Sequence, residues 1–148
     1  MFLGGFGIWL EISNAFHILE KVFHKIMKVL LVDDDSIHLL ILRKIFEKSN
    51  DEVVVAHNGK EALQYLEVDP FFHIIMTDIM MPVMDGVEFL EHLKESSQTC
   101  RIPTIGFTAG DVEYFREKCN DGFDSLVPKP MDFYDLYRLA KLTAGRQF

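Results

Sequence analysis

Cysteine is scarce: Cys100 and Cys119 are the only two in 148 residues. Two such residues make no disulfide framework, and they lack the Cys-x-x-Cys spacing of a metal site. They read as reduced thiols of a cytosolic protein. Basic charge is also in deficit, with 15 Lys and Arg against 23 Asp and Glu and a formal net charge of -8. Nothing supplies the cationic face that a phosphate backbone requires, so no direct nucleic-acid binding is expected. Long apolar runs are missing too. The opening run MFLGGFGIWL ends after ten residues at Glu11, where a bilayer span needs about 20. It also lacks the basic start and small-residue cleavage site of a signal peptide, and no membrane association is expected. Repeats and low-complexity stretches are absent. A composition of 49% hydrophobic and 26% charged residues excludes a disordered tail or a collagen. What remains is a length suited to one domain, whose core needs no staple.

The charge is unevenly distributed. Residues 1–26 hold Glu11 and Glu20 against Lys21 and Lys25, so the whole excess lies after them. From Ile12, the residues Phe16, Leu19, Val22, Phe23 and Ile26 recur at helical spacing, which predicts a short amphipathic helix begun by Ser13 or Asn14 as N-cap. The favoured reading makes Met27 the natural start and residues 1–26 a dispensable extension. The alternatives are a helix that docks on a partner or second copy, and an interfacial membrane helix weakened by its few Lys and Arg.

After Met27 a regular alternation begins. The run KVLLV at 28–32 has the unbroken apolar character of a buried parallel strand, and SIHLLILRKIFEK at 36–48 follows in helical register. The cycle repeats four times. EVVVA (52–56) leads through Asn58-Gly59 to KEALQYLE (60–67), and HIIMT (73–77) leads through MPVMDG to GVEFLEHLKE (86–95). PTIGF (103–107) leads to DVEYFREKC (111–119), and SLV (125–127) to DFYDLYRLAKL (132–142). Five βα units imply a parallel sheet with helices on both faces, because each right-handed crossover returns the chain over the sheet. No linker or second domain interrupts residues 27–148.

Ligands of such sheets bind beyond the carboxyl ends of the strands. Asp33, Asp34 and Asp35 follow the first strand, Asp78 the third, Thr108 the fourth and Lys129 the fifth. Three carboxylates from two strand ends repel one another unless a cation lies between them. Hard oxygen donors with no neighbouring Cys or His suggest Mg2+ completed by water and a phosphoryl group. A hydroxyl and an ammonium on the same rim suit phosphoryl oxygens. Each residue also has a plainer role. Asp35 or Ser36 is an N-cap candidate, Thr108 a cap for a helix near Gly110, Asp85-Gly86 a turn, and Met76, Met80, Met81 and Met84 fill core and loop gaps. His17 and His24 read as solvated surface, and no metal is assigned to the histidines.

Residues 27–142 resemble the response-regulator receiver domain of two-component and phosphorelay signalling, in the stand-alone single-domain form. The segments that carry the resemblance are VLLVDDD (29–35), IIMTDIMMPVMDG (74–86), PTIGFTAGD (103–111) and SLVPKP (125–130). The resemblance implies a flavodoxin-like, doubly wound (βα)5 sheet in strand order 2-1-3-4-5, with an extra N-terminal segment. It implies that Asp78 accepts a phosphoryl group from the phosphohistidine of a histidine kinase or histidine phosphotransfer protein. Asp34 and Asp78 would bind Mg2+ directly, Asp33 mainly through water, and the backbone carbonyl of Met80 would be a further ligand. Thr108 would move to the phosphoryl oxygen, Lys129 would pair with it, and Lys129-Pro130 would be a cis peptide. The surface of the fourth core helix, fifth strand and fifth core helix would then signal to a downstream protein or drive homodimerisation. Such a domain is not an enzyme beyond its own phosphorylation and slow dephosphorylation.

The chain departs from the family pattern at Leu126, where many receivers place a Tyr or Phe that rotates inward. Pro128 restricts the backbone before Lys129 and removes a ladder donor. Met80 and Gly110 occupy places that in the family tune phosphoryl lifetime. Two other functions compete. One is a haloacid dehalogenase-type phosphatase with Asp33 as nucleophile, Asp35 as its partner and Lys129 as phosphate anchor, a reading that leaves no residues for a cap and no role for MPVMDG. The other is a pseudo-receiver that binds partners without phosphorylation.

Overall fold

The computed structural model describes residues 4–22 and 25–146, and within the first helix the side chains of residues 7–16. Strands β1 (Lys28–Val32), β2 (Glu52–Ala56), β3 (Ile74–Asp78), β4 (Thr104–Thr108) and β5 (Ser125–Pro128) form one sheet in the order β2-β1-β3-β4-β5. Every pairing is parallel. The expected fold and strand order are present. The central strands β3 and β4 are buried along their whole length, as the unbroken apolar runs require. Pro128, which cannot donate to a ladder, closes the edge strand β5 opposite Thr108.

Alternation along β1 divides the core in two. Val29 and Leu31 pack with Ile74, Met76, Ile105 and Phe107 under Leu39, Leu42 and Phe46 of α2 (Ser36–Lys48) and Leu136 and Ala140 of α6 (Phe133–Gly145). Leu30, Val32 and Ile75 point the other way, against Ala62 and Leu66 of α3 (Gly59–Val68) and Phe89 and Leu93 of α4 (Gly86–Glu95). A smaller cluster of Ile79, Val87, Leu90 and Phe123, with Phe115 packed on it, seats α5 (Val112–Lys118). Each of α2 to α6 begins at a side-chain cap. Asp35, Asn58, Asp85, Asp111 and Asp132 accept backbone N–H bonds from the first turn that follows them. Much of the acidic excess is thus used to start helices.

Several expectations need correction. Helix α1 spans Gly4–Val22, so Ser13 and Asn14 lie inside it and are not caps. No helix breaker separates the opening apolar run from the periodic stretch, and the helix passes straight through. Its Ile8, Trp9, Leu10, Ile12 and Phe16 are exposed, while the side chains of His17 and His24 lie outside the described residues. Met27 is buried, donates its N–H to Asp51 Oδ1 at 2.9 Å and belongs to the α2/α6 core. Thr108 caps no helix, since Asp111 takes that role for α5. Met76, Met81 and Met84 do fill the core or its margin. Met80 does not, being 60% exposed. Strands β3 and β4 each begin and end one residue later than the sequence pattern suggests, which places Asp78 and Thr108 inside the ladder as its last residues. No helix among the described residues is long and apolar enough to cross a membrane. Neither cysteine forms a disulfide.

Candidate functional site

Parallel pairing brings the carboxyl ends of β1, β3, β4 and β5 to one rim. Asp33 follows β1 and continues its ladder, donating its N–H to Ala56 O at 3.1 Å. Asp78 ends β3, in register with Phe107 of β4. One carboxylate oxygen from each of Asp33, Asp34 and Asp78 lies within 4.8 Å of the other two. Asp33 and Asp78 are buried and Asp34 is exposed, so the cluster opens to solvent on one side.

The three carboxylates are held differently. Asp33 Oδ1 accepts the Asp35 N–H at 2.9 Å, and Oδ2 lies 3.1 Å from His38 Nδ1. Burial pushes the Asp33 carboxyl above the ordinary range, the Asp35 N–H opposes this, and the charge of Asp78 adds to it. Asp78 Oδ2 accepts the Lys129 ammonium at 3.0 Å. Its Oδ1 is buried with no hydrogen-bond partner among the described residues. A bare buried carboxylate oxygen is costly in a dry site. Beside two further carboxylates, that unpartnered oxygen fits a divalent cation bound by hard oxygen donors.

Backbone geometry fixes the cationic side. Lys129 donates its N–H to Thr108 O at 2.8 Å, its ammonium lies 5.5 Å from the Phe107 ring centroid, and Lys129-Pro130 is cis, as expected. The Thr108 side chain is buried at the end of β4, where Oγ1 accepts the Gly110 N–H at 3.0 Å. Its own hydroxyl hydrogen stays available to an oxygen acceptor. On the acidic side, Gly86 admits a close approach that no side chain would allow. A Cβ there would stand 2.5 Å from Asp78 O, and the Gly86 N–H donates to Ile79 O at 2.7 Å. The start of α4 is thereby pressed against the backbone of Asp78.

Leu126, in place of an aromatic residue, packs over Gly106. A Cβ on that glycine would lie 2.9 Å from Leu126 Cδ2 and 3.0 Å from Phe123 Cε1. Met80 overhangs the rim, its Sδ 3.6 Å from where a Gly110 Cβ would stand.

The structure also adds a residue that the sequence reading passed over. His38 is the third residue of α2, and side chains at that position point back toward the helix start and so toward the strand end. Its Nδ1 faces Asp33 and its Nε2 stands 3.4 Å from Asp35 Oδ2. The spacing of His38 from the Asp35 cap was the available signal. An open cleft of about 410 Å³, lined by His38, Ala109, Lys129, Pro130, Met131 and Phe133, flanks the site.

The phosphatase reading loses its second aspartate on this geometry. Asp35 spends its carboxylate on the Ile37 and His38 N–H groups.

Comparison with known proteins agrees with the fold. The family model for the response regulator receiver domain matches residues 29–141. The two-component response regulator ORR5 of Oryza sativa subsp. japonica is 34% identical over 112 residues, covering 75% of this chain and 84% of the relative. Chemotaxis response regulator CheY4 of Vibrio cholerae superposes with a TM-score of 0.73 at 28% identity, over 80% of this chain and 99% of that one. The receiver domain of the sensor histidine kinase PA1611 of Pseudomonas aeruginosa PAO1 shares the fold, with a TM-score of 0.72 at 23% identity over 82% and 99% of the two chains. That structure has a magnesium ion coordinated in its active-site cleft.

Proposed function

The chain belongs to the response regulator receiver domain family, and on that premise we propose that Asp78 accepts a phosphoryl group from a phosphohistidine with Mg2+ as cofactor. The observation that carries this reading is the Asp78 carboxylate itself. One oxygen is paired to Lys129, and the other is buried and bare within reach of Asp33 and Asp34.

In the transfer, a carboxylate oxygen of Asp78 forms a bond to phosphorus as the donor's N–P bond breaks. The imidazole leaves with the electron pair and takes a proton from solvent. Lys129 holds the carboxylate and then meets the transferred oxygens, and the Thr108 hydroxyl donates to one of them. Asp34, Asp78 and the Met80 carbonyl would hold the cation directly, and Asp33 mainly through water. When bound, Mg2+ supplies the positive charge that lets these carboxylates and a phosphoryl group share one site. Water later attacks phosphorus, restoring the carboxylate and releasing inorganic phosphate. The domain catalyses no other turnover.

The donor in this reading is a histidine kinase or histidine phosphotransfer protein of the cytoplasm. Occupation of the site repositions the loops after β3, β4 and β5. The surface of α5, β5 and α6 then binds a downstream protein or a second copy. With Leu126 in the aromatic position, the signal passes through Thr108 and the α5 loop and not through a rotating ring.

The test is transfer from a radiolabelled histidine phosphotransfer protein, with and without Mg2+. The wild-type chain should gain label only with Mg2+, and Asp78→Asn should gain none. Equal labelling of the Asp78→Asn variant would overturn the assignment.

A further inference from the structure

We propose that His38 is a positioning residue for the metal site, acting through Asp33 to set the affinity of the acidic cluster for a divalent cation. The inference rests on the reading of Asp33, Asp34 and Asp78 as metal ligands.

Asp33 is fully buried, and its two oxygens meet two donors from one short stretch of chain. The Asp35 N–H donates to Oδ1 at 2.9 Å, and His38 Nδ1 faces Oδ2 at 3.1 Å. A carboxylate oxygen accepts, so Nδ1 carries the hydrogen and donates it. The backbone donor alone leaves the carboxylate free to turn about its Cβ–Cγ bond. The second donor fixes that rotation and so decides where the outward-facing lone pairs of Asp33 point.

His38 is itself held in place. Its ring lies 5.5 Å from Phe133 at the start of α6, its Nε2 is 3.4 Å from Asp35 Oδ2, and its side chain is 28% exposed. An imidazole anchored on two helices is therefore a rigid support for a carboxylate that enters the metal site. His38 stands outside the set of carboxylates whose oxygens converge within 4.8 Å, so its effect on the cation runs through Asp33. Nothing comparable supports Asp78 Oδ1, which is left bare for the cation.

Two substitutions separate this role from simple packing. His38→Asn keeps an N–H donor at nearly the position of Nδ1. His38→Leu keeps comparable bulk and removes the donor. Mg2+ binding is measured by isothermal titration calorimetry at one fixed pH, and melting in chelator reports on the metal-free fold. His38→Leu should weaken Mg2+ binding about 10-fold or more. His38→Asn should stay within about 3-fold of wild type and melt in chelator close to it, whereas His38→Leu, which bares Asp33 Oδ2, should melt lower in chelator but still in one cooperative transition. Unchanged binding by His38→Leu, or an equal loss in both variants, would overturn the positioning role. A wild-type chain that binds no Mg2+ would instead overturn the metal reading, and this inference with it.

Discussion

The ammonium of Lys129 lies 3.0 Å from Oδ2 of Asp78 across 51 residues of sequence, joining the ends of β5 and β3 over the intervening end of β4. The pairing holds a buried carboxylate in place while leaving its second oxygen bare. In the proposed reaction, the ammonium is thus positioned for the phosphoryl group before that group arrives.

Replacing Lys129 with Met should therefore slow phosphorylation sharply, by about 100-fold if its charge acts chiefly on the transferring group. Mg2+ binding should persist, because the acidic cluster is intact. The initial rate of label incorporation checks the first part and calorimetry the second. Loss of both would mean that Lys129 only maintains the site's shape.

Asp33 sets a pH dependence whose sign follows from burial. Its folded carboxyl titrates above the ordinary aspartate value, chiefly through desolvation, and that ordinary value is about 4. The folded state therefore keeps a proton that the unfolded chain has already lost. The associated stability is fully present below the unfolded value and disappears as pH rises through the folded one. At neutral pH in chelator, ionised Asp33 is a destabilising group. Asp33→Asn should raise Tm there by about 3 °C and flatten the acid side of the stability profile. Mg2+ should stabilise wild type by mass action and Asp33→Asn much less. A lower Tm for Asp33→Asn in chelator would contradict this account.

Val83 occupies the left-handed region at φ 70° in the loop between β3 and α4. A β-branched side chain is poorly tolerated there, at a cost of roughly 1–2 kcal/mol. It is also 75% exposed, so little packing compensates. Val83→Asn should raise Tm by about 2–4 °C and leave labelling unchanged. A fall in Tm would show that the loop depends on contacts of the valine side chain.

The sheet was legible because each strand is a short apolar run ended by a polar residue, and parallel topology gathers those ends on one rim. Asp33, Asp34, Asp35, Asp78, Thr108 and Lys129 stand out on that ground as strand-end residues, the family resemblance implies their separate roles, and the structure brings Asp33, Asp34, Asp78, Thr108 and Lys129 to the rim. The three carboxylates are shown to converge, and Lys129 to pair with Asp78. His38 was hidden because its significance depends on where α2 starts, which the Asp35 cap decides in three dimensions. Ser13 and Asn14 looked like caps because cap chemistry is local, whereas the helix start depends on what precedes it. Residue type alone makes the Met80 side chain a gap filler, yet the loop after β3 turns it outward. The bare Oδ1 of Asp78 could not be read from sequence at all, since it reflects which donors fail to reach it.

The central claim is that Asp78 is the residue phosphorylated, and site mapping tests it most directly. The chain is incubated with acetyl phosphate and Mg2+, the acyl phosphate is trapped by reduction, and the modified residue is located by mass spectrometry. The account predicts modification at Asp78 that depends on Mg2+ and is absent from Asp78→Asn. Modification at Asp33, or none under conditions in which Mg2+ binds, would contradict it.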